Sequence, residues 1–414
     1  MQHFVGFVYR DVRLDTGKGK GISIAITLEP HAGIRRRCAR CQRPSPTYDR
    51  LPERDWSHVP LWGIPTYFHY APRRVECAEH GVVVEHIPWS EGKRPVTCAM
   101  MGFLARWARR MSWREVARTF HTSWEAVYRS VEWFVEWGFA HRDLGGITAI
   151  GVDEIHWGRG KRADNFLTVI YQIDAGCRRL LWVGRRRTQA TLRRGLRSLG
   201  PQVVQGIAFV CSDMWKPYLQ VIAVEIKQAL HVLDRFHITS HLNTAVDQVR
   251  RAESGRLRSR SQKGDHPLQH MRWPLLRRSS RVRGKARQKL AALLDSKLAT
   301  ARAWELKEAF AHFWHYRSLS WAEGYLRCWC ARAMRSRLEP MKKVARMLRA
   351  HQPLILNWFR AKGEISSGAV EGLNNKIRVV TRRSYGFRTY EAMEIALYHN
   401  LGRLPEPEFT REFC

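Results

Sequence analysis

The chain has 414 residues and 44% hydrophobic content, enough for two or three domains with their own cores, so a disordered polymer is not the default reading. Its 71 Lys and Arg against 37 Asp and Glu leave a formal net charge of +34 spread over every third of the chain, and the expected partner is therefore an extended polyanion, double-stranded DNA first. No apolar run approaches the roughly 20 residues of a membrane span and no signal-like block opens the chain, so a soluble, cytoplasmic protein is expected. A ribosome-associated or anionic-membrane protein is the bland alternative.

Residues 1–95 are rich in Pro, Gly, Cys and His, with short β-like runs ("GISIAITL", "GVVVEHI"). Within them Cys38-x-x-Cys41 and Cys77-x-x-His80 form two knuckle-like pairs. Two such turns, each supplying two soft ligands, close a tetrahedral structural Zn²⁺ site, so this block reads as a zinc-binding amino-terminal domain. The other cysteines, Cys98, Cys177, Cys211, Cys328, Cys330 and Cys414, bring the total to an odd nine and read as reduced thiols. "GKGKG" at residues 17–21 lacks the spacing and ending of a phosphate loop and reads as a basic turn.

Residues 96–143 read as a helical DNA-binding domain. "MSWREVARTFHTSWEAVYRSVEWFVEW", residues 111–137, has the pattern helix, polar turn, helix. Val116, Ala117 and Phe120 supply one apolar face, and Val127 and Val131 the other. Ser123 caps the second helix and places Trp124, Glu125 and Arg129 at its start, the end that a helix-turn-helix presents to DNA. A generic helical hairpin shares the pattern.

Residues 144–250 alternate strand and helix. "ITAIGVDEI", "NFLTVIYQID" and "RRLLWVGRRR" form an antiparallel meander, and helix, strand, helix, strand, helix follow. The order β-β-β-α-β-α-β-α is that of an α/β RNase H-like fold. It brings Asp153 on the first strand beside Asp213 just past the fourth. Strand alternation sends Glu154 to the other face, away from the site. Residues 251–360 are almost wholly helical and the most basic run, Arg250 to Arg287, enters them. Trp273, Trp304, Trp314 and Trp321 there are packing or base-stacking groups.

Residues 361–414 contain a helix with two unlike faces. Val370, Leu373, Ile377 and Val380 lie on one side, while Glu371, Asn375, Arg378 and Arg382 fall within an arc of roughly 60° on the other. Glu371 would be the third carboxylate, completing with Asp153 and Asp213 a site for two Mg²⁺ or Mn²⁺ ions, while the amide and the cations Lys376, Arg378, Arg382, Arg383 and Arg388 hold phosphates.

"GVDEIHWGRG", "VCSDMWKPYLQVI", "VLDRFHI" and "GAVEGLNNKIRVVTRRSYGFR" resemble the blocks of the ISL3-family insertion-sequence transposases, over nearly the whole chain and in the same order. The resemblance implies DDE chemistry with Asp153, Asp213 and Glu371 as the triad, and an all-α insertion interrupting the RNase H-like core between Asp213 and Glu371. It also puts Asp234 and His237 of "DRFH" near the site, where a structural pair is the alternative. Ser367 stands where relatives carry Asn. The expected activity is metal-dependent phosphodiester hydrolysis and strand transfer at terminal inverted repeats, carried out by a homodimer or larger assembly. A catalytically silent DNA-binding repressor, another RNase H-like nuclease and a nucleoid protein are the rival readings.

Overall fold

The structure, a computed structural model, describes residues 4–16, 21–157, 165–260, 266–361 and 368–408. Ser367, Cys414 and all but the last glycine of "GKGKG" lie outside the described residues. The chain divides into two compact units, residues 1–143 with 376–414, and residues 144–375.

The first unit's strands are β1 (Phe7–Asp15), β2 (Ser23–Pro30), β3 (Thr47–Arg50), β4 (Arg54–Leu61), β5 (Ile64–Tyr70), β6 (Arg73–Cys77) and β7 (Gly81–Val84), with period-two alternation clearest in β2 and β5. Every second residue of β2, Ile24, Ile26 and Leu28, is buried. One sheet runs β1-β2-β5-β4 and a smaller one β3-β6-β7. Trp89 fills the core of the larger sheet, edge-on to Trp56, Phe68 and Tyr70.

Three helices follow, α1 (Cys98–Ala108), α2 (Trp113–Thr119) and α3 (Trp124–His141). Ser112 and Glu115 form a capping box on α2. Ser123 caps α3 as expected, its hydroxyl accepting from Ala126 N at 3.0 Å. Val116, Ala117, Val127 and Val131 are buried, whereas Phe120 is half-buried against Phe103, ring centroids 4.6 Å apart.

The second unit opens with the meander β8 (Ala149–His156), β9 (Phe166–Gln172) and β10 (Arg179–Arg185), then α4 (Gln189–Ser198), α5 (Pro201–Gly206), β11 (Phe209–Ser212), α6 (Lys216–Glu225), β12 (Leu230–Leu233) and α7 (Arg235–Arg260). The expected element order is present, with α5 added. Gly200, at φ +88°, and Pro201 at the first helical position start that short helix. The sheet order is β10-β9-β8-β11-β12, with β9 antiparallel to β8 and β10, and β11 parallel to β8 and β12. One face, through Ile150, Val152, Ile170 and Leu181, packs on Leu192, Leu196, Tyr218 and Ile222 of α4 and α6.

Helices α8 (Arg272–Leu276), α9 (Lys285–Leu294), α10 (Ala299–Ala311), α11 (Leu319–Arg335), α12 (Glu339–Ala350) and α13 (Gln352–Arg360) share an aromatic core with α7, built on Trp304, Phe310, Phe313, Trp314 and Trp329. Trp304 and Trp314 are therefore packing residues, while Trp273 and Trp321 are exposed. This helical segment joins the sheet at α13, where buried Asn357 donates to the His231 carbonyl of β12 at 2.8 Å. Helix α14 (Gly368–Arg383) is shared between the units, its first turns in the second and the rest in the first. Helix α15 (Tyr390–Leu401) then packs on α3, Tyr398 against Phe139 with centroids 4.7 Å apart. Among the described residues no helix is long and apolar enough to cross a membrane.

Candidate active site and candidate metal centre

The parallel register Val152↔Ser212 makes the next residues, Asp153 and Asp213, neighbours at the carboxyl edge of the sheet. Both are buried, 6% and 7% exposed. Two carboxylates withdrawn from water next to each other repel, and burial first, with the Asp213 charge adding, raises the Asp153 carboxyl above its ordinary range. The Glu154 amide, His237 and Asn374 pull the other way.

Asp153 is held at both oxygens. Its Oδ1 accepts from Glu154 N at 2.8 Å, and its Oδ2 from Asn374 Nδ2 at 2.6 Å. Asn374 is oriented by Tyr171, whose hydroxyl donates to its Oδ1 at 2.7 Å. This relay has a backbone cause. Gly151 and Asp153 lie two residues apart on the face of β8 that receives α14, and Val370 and Asn374 lie one helical turn apart. A Cβ on Gly151 would stand 2.5 Å from Val370 Cγ2, so only glycine lets the helix come close enough for Asn374 to reach Asp153.

Asp213 ends its strand in an Asx-type turn, Oδ1 accepting from Trp215 N at 3.0 Å. Its Oδ2 receives Arg187 Nη2 at 3.4 Å, and the same nitrogen contacts Glu154 Oε1 at 2.8 Å. Arg186, at φ +76°, turns the chain past β10, and the Arg187 guanidinium lies 4.1 Å from the Trp215 ring centroid. The expectation that alternation removes Glu154 from the site is thus corrected. Asp213 lies past the end of its strand, where the pleat no longer dictates direction, and one guanidinium ties the two acids together. Burial first, and then the Asp213 charge, push Glu154 up to about 8 against the pull of Arg187. Among the described residues, its buried Oε2 has no hydrogen-bond partner.

Asp234 follows β12 and caps α7, Oδ1 accepting from Phe236 N at 2.7 Å, with His237 Nε2 3.8 Å from Oδ2. Ser212 at the same edge contacts His231 Nε2 at 2.7 Å, and burial lowers His231 to about 4, which keeps that imidazole neutral.

Helix α14 carries the face anticipated from the sequence. Val370, Leu373, Ile377 and Val380 are 2–5% exposed, while Glu371, Asn375, Lys376, Arg378 and Arg382 are exposed. Glu371 stands in the same turn as Val370 and Asn374. Its carboxylate is not drawn into a compact cluster with the aspartates: among the described residues, no three acidic, His or Cys ligand atoms at this edge lie within 4.8 Å of one another. Asn374, which reaches Asp153, went unremarked in the sequence because it sits on the wheel between the aliphatic and the exposed arcs. Arg187 carried no spacing signal at all. Arg383 is half-buried and donates to the Arg109 carbonyl and, at 2.8 Å, to Asn400 Oδ1.

Far along the chain, Cys38, Cys41, Cys77 and His80 come together as anticipated, all ligand atoms within 4.8 Å. Sγ of Cys41 and Cys77 are 3.6 Å apart, and His80 Nδ1 is 3.8 Å from Cys38 Sγ and 3.7 Å from Cys77 Sγ. A tetrahedral shell with Zn–S bonds of about 2.3 Å has edges of about 3.8 Å, so the four atoms fit that ion. The knuckle is made locally: Arg40 N donates to Cys38 Sγ at 3.4 Å, and Gln42, at φ +60°, closes the turn. Hydrogen bonds from the Glu79 backbone and from His80 lower the Cys77 thiol to about 6, favouring the thiolate that a metal needs. In a second cluster, Glu53 and Asp55 are exposed and His69 half-buried, and Asp55 and His69 are simply cross-strand partners.

Buried paired carboxylates beside a closely packed helix are the kind of group that holds divalent cations and acts on phosphodiesters. The family model of the ISL3 DDE transposases, described as a transposase, matches residues 150–397, more than half of the chain and including all three acids. The chain belongs to this ISL3 transposase family. It is also similar along its length to the transposase for insertion sequence element IS1001 of Bordetella parapertussis, 26% identical over 388 residues and covering 92% of each chain. The transposase for insertion sequence element IS1557 of Mycobacterium tuberculosis is 25% identical over 407 residues, covering 91% of this chain and 88% of the relative.

Proposed function

We propose that this chain is the transposase of an insertion sequence, binding the terminal inverted repeats as double-stranded DNA, hydrolysing the phosphodiester at the element's end and joining the freed 3′-hydroxyl to target DNA. The observation that carries the reading is the buried Asp153 and Asp213 pair, held at the sheet edge under the helix that bears Glu371. The sheet order, three antiparallel strands continued by two parallel ones, supports an RNase H-like core, and helices α8 to α13, lying between Asp213 and Glu371, support its interruption by an all-α insertion.

Asp153, Asp213 and Glu371 would hold two Mg²⁺ or Mn²⁺ ions, and the donors fit in type: hard carboxylate oxygens, the two aspartates buried side by side and Glu371 exposed on the helix that packs over them. Bound there, the ions supply the charge that activates water or a 3′-hydroxyl and stabilises the leaving oxygen. Asn374, steered by Tyr171, fixes the carboxylate plane of Asp153, leaving its remaining lone pairs for a ligand. Arg187 holds Asp213 in place through one nitrogen and lies over the Trp215 ring, 4.1 Å from its centroid. Asn375, Arg378 and Arg382, on the exposed face shared with Glu371, would hold phosphates around the reacting one. The four-ligand cluster would bind Zn²⁺ and stiffen the amino-terminal domain, and α2 with α3 would read the repeat, with Ser123 and Trp124 at the start of the second helix. Arg129 is held by Glu125 at 2.8 Å and Glu132 at 2.7 Å, which leaves it a positioning role more than a free phosphate contact. Synapsis of two ends calls for at least a dimer.

The test compares the native chain with Glu371→Gln on a labelled duplex carrying the element's own end, with Mg²⁺ or Mn²⁺. The native chain is expected to cut at the end, and the variant to bind the duplex equally while cutting at least 100-fold more slowly, as loss of one metal-binding carboxylate predicts. Equal binding with no cleavage by either chain would point instead to a DNA-binding repressor.

A further inference from the structure

The first unit contains an open cleft of about 960 Å³, within the usual size of small-ligand pockets, between the start of α2, Trp124 and residues 384–389. Its cations are Arg114, Arg118 and Arg388, all exposed. Its one acid, Glu115, is engaged at the wall in the capping box, Oε2 accepting from Ser112 N at 2.9 Å and Ser112 Oγ at 2.7 Å. Along the wall Trp124 meets Trp113 at 5.8 Å, tilted by 54°, and Trp113 meets Phe387 edge-on at 6.2 Å, while behind the wall Tyr128 lies parallel to Trp124 at 5.3 Å. At the mouth stands Tyr385.

Tyr385 has no packing reason to be there. It is 90% exposed and holds a left-handed φ of +54°, followed by Gly386 at +89°. A bulky residue in that region is strained, and such strain persists where the surroundings impose it and where it serves a function. The helix end imposes it, through Tyr385 N to Arg382 O at 3.0 Å and Gly386 N to Thr381 O at 3.0 Å, and Phe387 anchors the next residues on Trp113. The ring is thus carried on a fixed turn beside an aromatic wall and three guanidinium groups.

We propose that this cleft takes a single unpaired nucleotide of the bound DNA, its base stacked on Tyr385 and the Trp124 wall and its phosphate held by Arg114, Arg118 and Arg388. An unpaired base offers what the cleft matches, a flat π-face with an anion a few ångströms away, which neither a paired duplex nor an apolar peptide presents. The inference rests on the reading of the chain as a DNA-binding transposase.

The test uses the full chain and two versions of the terminal-repeat duplex, one fully paired and one carrying 2-aminopurine as a single unpaired nucleotide, moved along the end. Anisotropy reads affinity, and 2-aminopurine emission reads stacking. At one position the native chain is expected to bind the unpaired form about tenfold more tightly, in line with one stacked base, with quenched emission. Tyr385→Ala and Tyr385→Gly should each abolish the preference and the quenching, leave affinity for the paired duplex unchanged, and leave the Tm equal to native or, for Gly at this φ, slightly raised. Equal affinity of the native chain for both duplexes at every position overturns the proposal, as does a preference that survives both variants. Absence of binding to either duplex would overturn the DNA-binding reading itself and is seen separately from loss of the preference.

Discussion

Glu154 is a carboxyl whose charge state depends on its neighbours more than on its type. In the folded chain without added divalent cation it keeps its proton up to about pH 8, whereas the unfolded chain releases it near its ordinary value of 4.5. Between those values the native state binds more protons than the unfolded one, so stability falls as pH rises through the window. The expected loss, on the order of a few kcal/mol, is read from urea midpoints measured from pH 5 to pH 9 in buffer free of Mg²⁺, and Glu154→Gln should flatten the slope. A native chain whose midpoint is constant across the window would mean that Arg187 neutralises Glu154 fully. The same residue shows the reach of a sequence argument. Alternation correctly sends Glu154 to the face opposite Asp153, yet its neighbour Asp213 is set by a turn and not by a strand, and the contact through Arg187 follows from three-dimensional position alone.

Helix α14 meets strand β8 through a pair of small steps, Gly151 under Val370 and Asp153 under Asn374. Gly151→Ala would press a methyl group into Val370, and overpacking of this kind costs about 1–3 kcal/mol. Because α14 also carries Glu371, the shift should reduce DNA cleavage while leaving duplex binding intact. Val370→Ala added to Gly151→Ala opens the space again and should recover both the Tm and most of the cleavage. Additive losses in that double variant, measured by thermal unfolding and by cleavage rate, would show that the close approach is not what positions the helix. The amphipathic face of α14 was legible from residue spacing, since Val370, Leu373, Ile377 and Val380 are buried and Glu371, Asn375, Arg378 and Arg382 exposed. Which residue of the helix grips the site was not legible, because Asn374 lies on the boundary of the two arcs and its partner is more than 200 residues away.

At the scale of the whole molecule, one small part rests on a different support from the rest. The second unit and the larger sheet of the first have extended apolar cores, whereas the small sheet β3-β6-β7 has almost nothing around Cys38, Val75 and Cys77 to bury, which is where the proposed Zn²⁺ would do what a core does elsewhere. Cys77→Ser is therefore expected to lower zinc from one ion per chain toward none, measured by atomic emission on purified protein, and to bring forward a low-temperature transition in calorimetry while leaving the main transition in place. Full zinc content in the variant would argue against these four ligands. What the sequence determined by itself follows from local and periodic physics: the strands of the second unit and their order, the cap at Ser123, the paired Cys38, Cys41, Cys77 and His80, and the acids within β8 and just past β11. Each depends on residues close in the chain, where spacing is geometry. Only the tertiary structure decided that Arg187 bridges Glu154 and Asp213, that Asn374 and Tyr171 steer Asp153, that Arg383 is engaged with Arg109 and Asn400, and that Tyr385 stands over a basic aromatic cleft. Those contacts join segments whose separation along the chain carries no period, and they exist because close packing brings particular faces together, which no local pattern encodes.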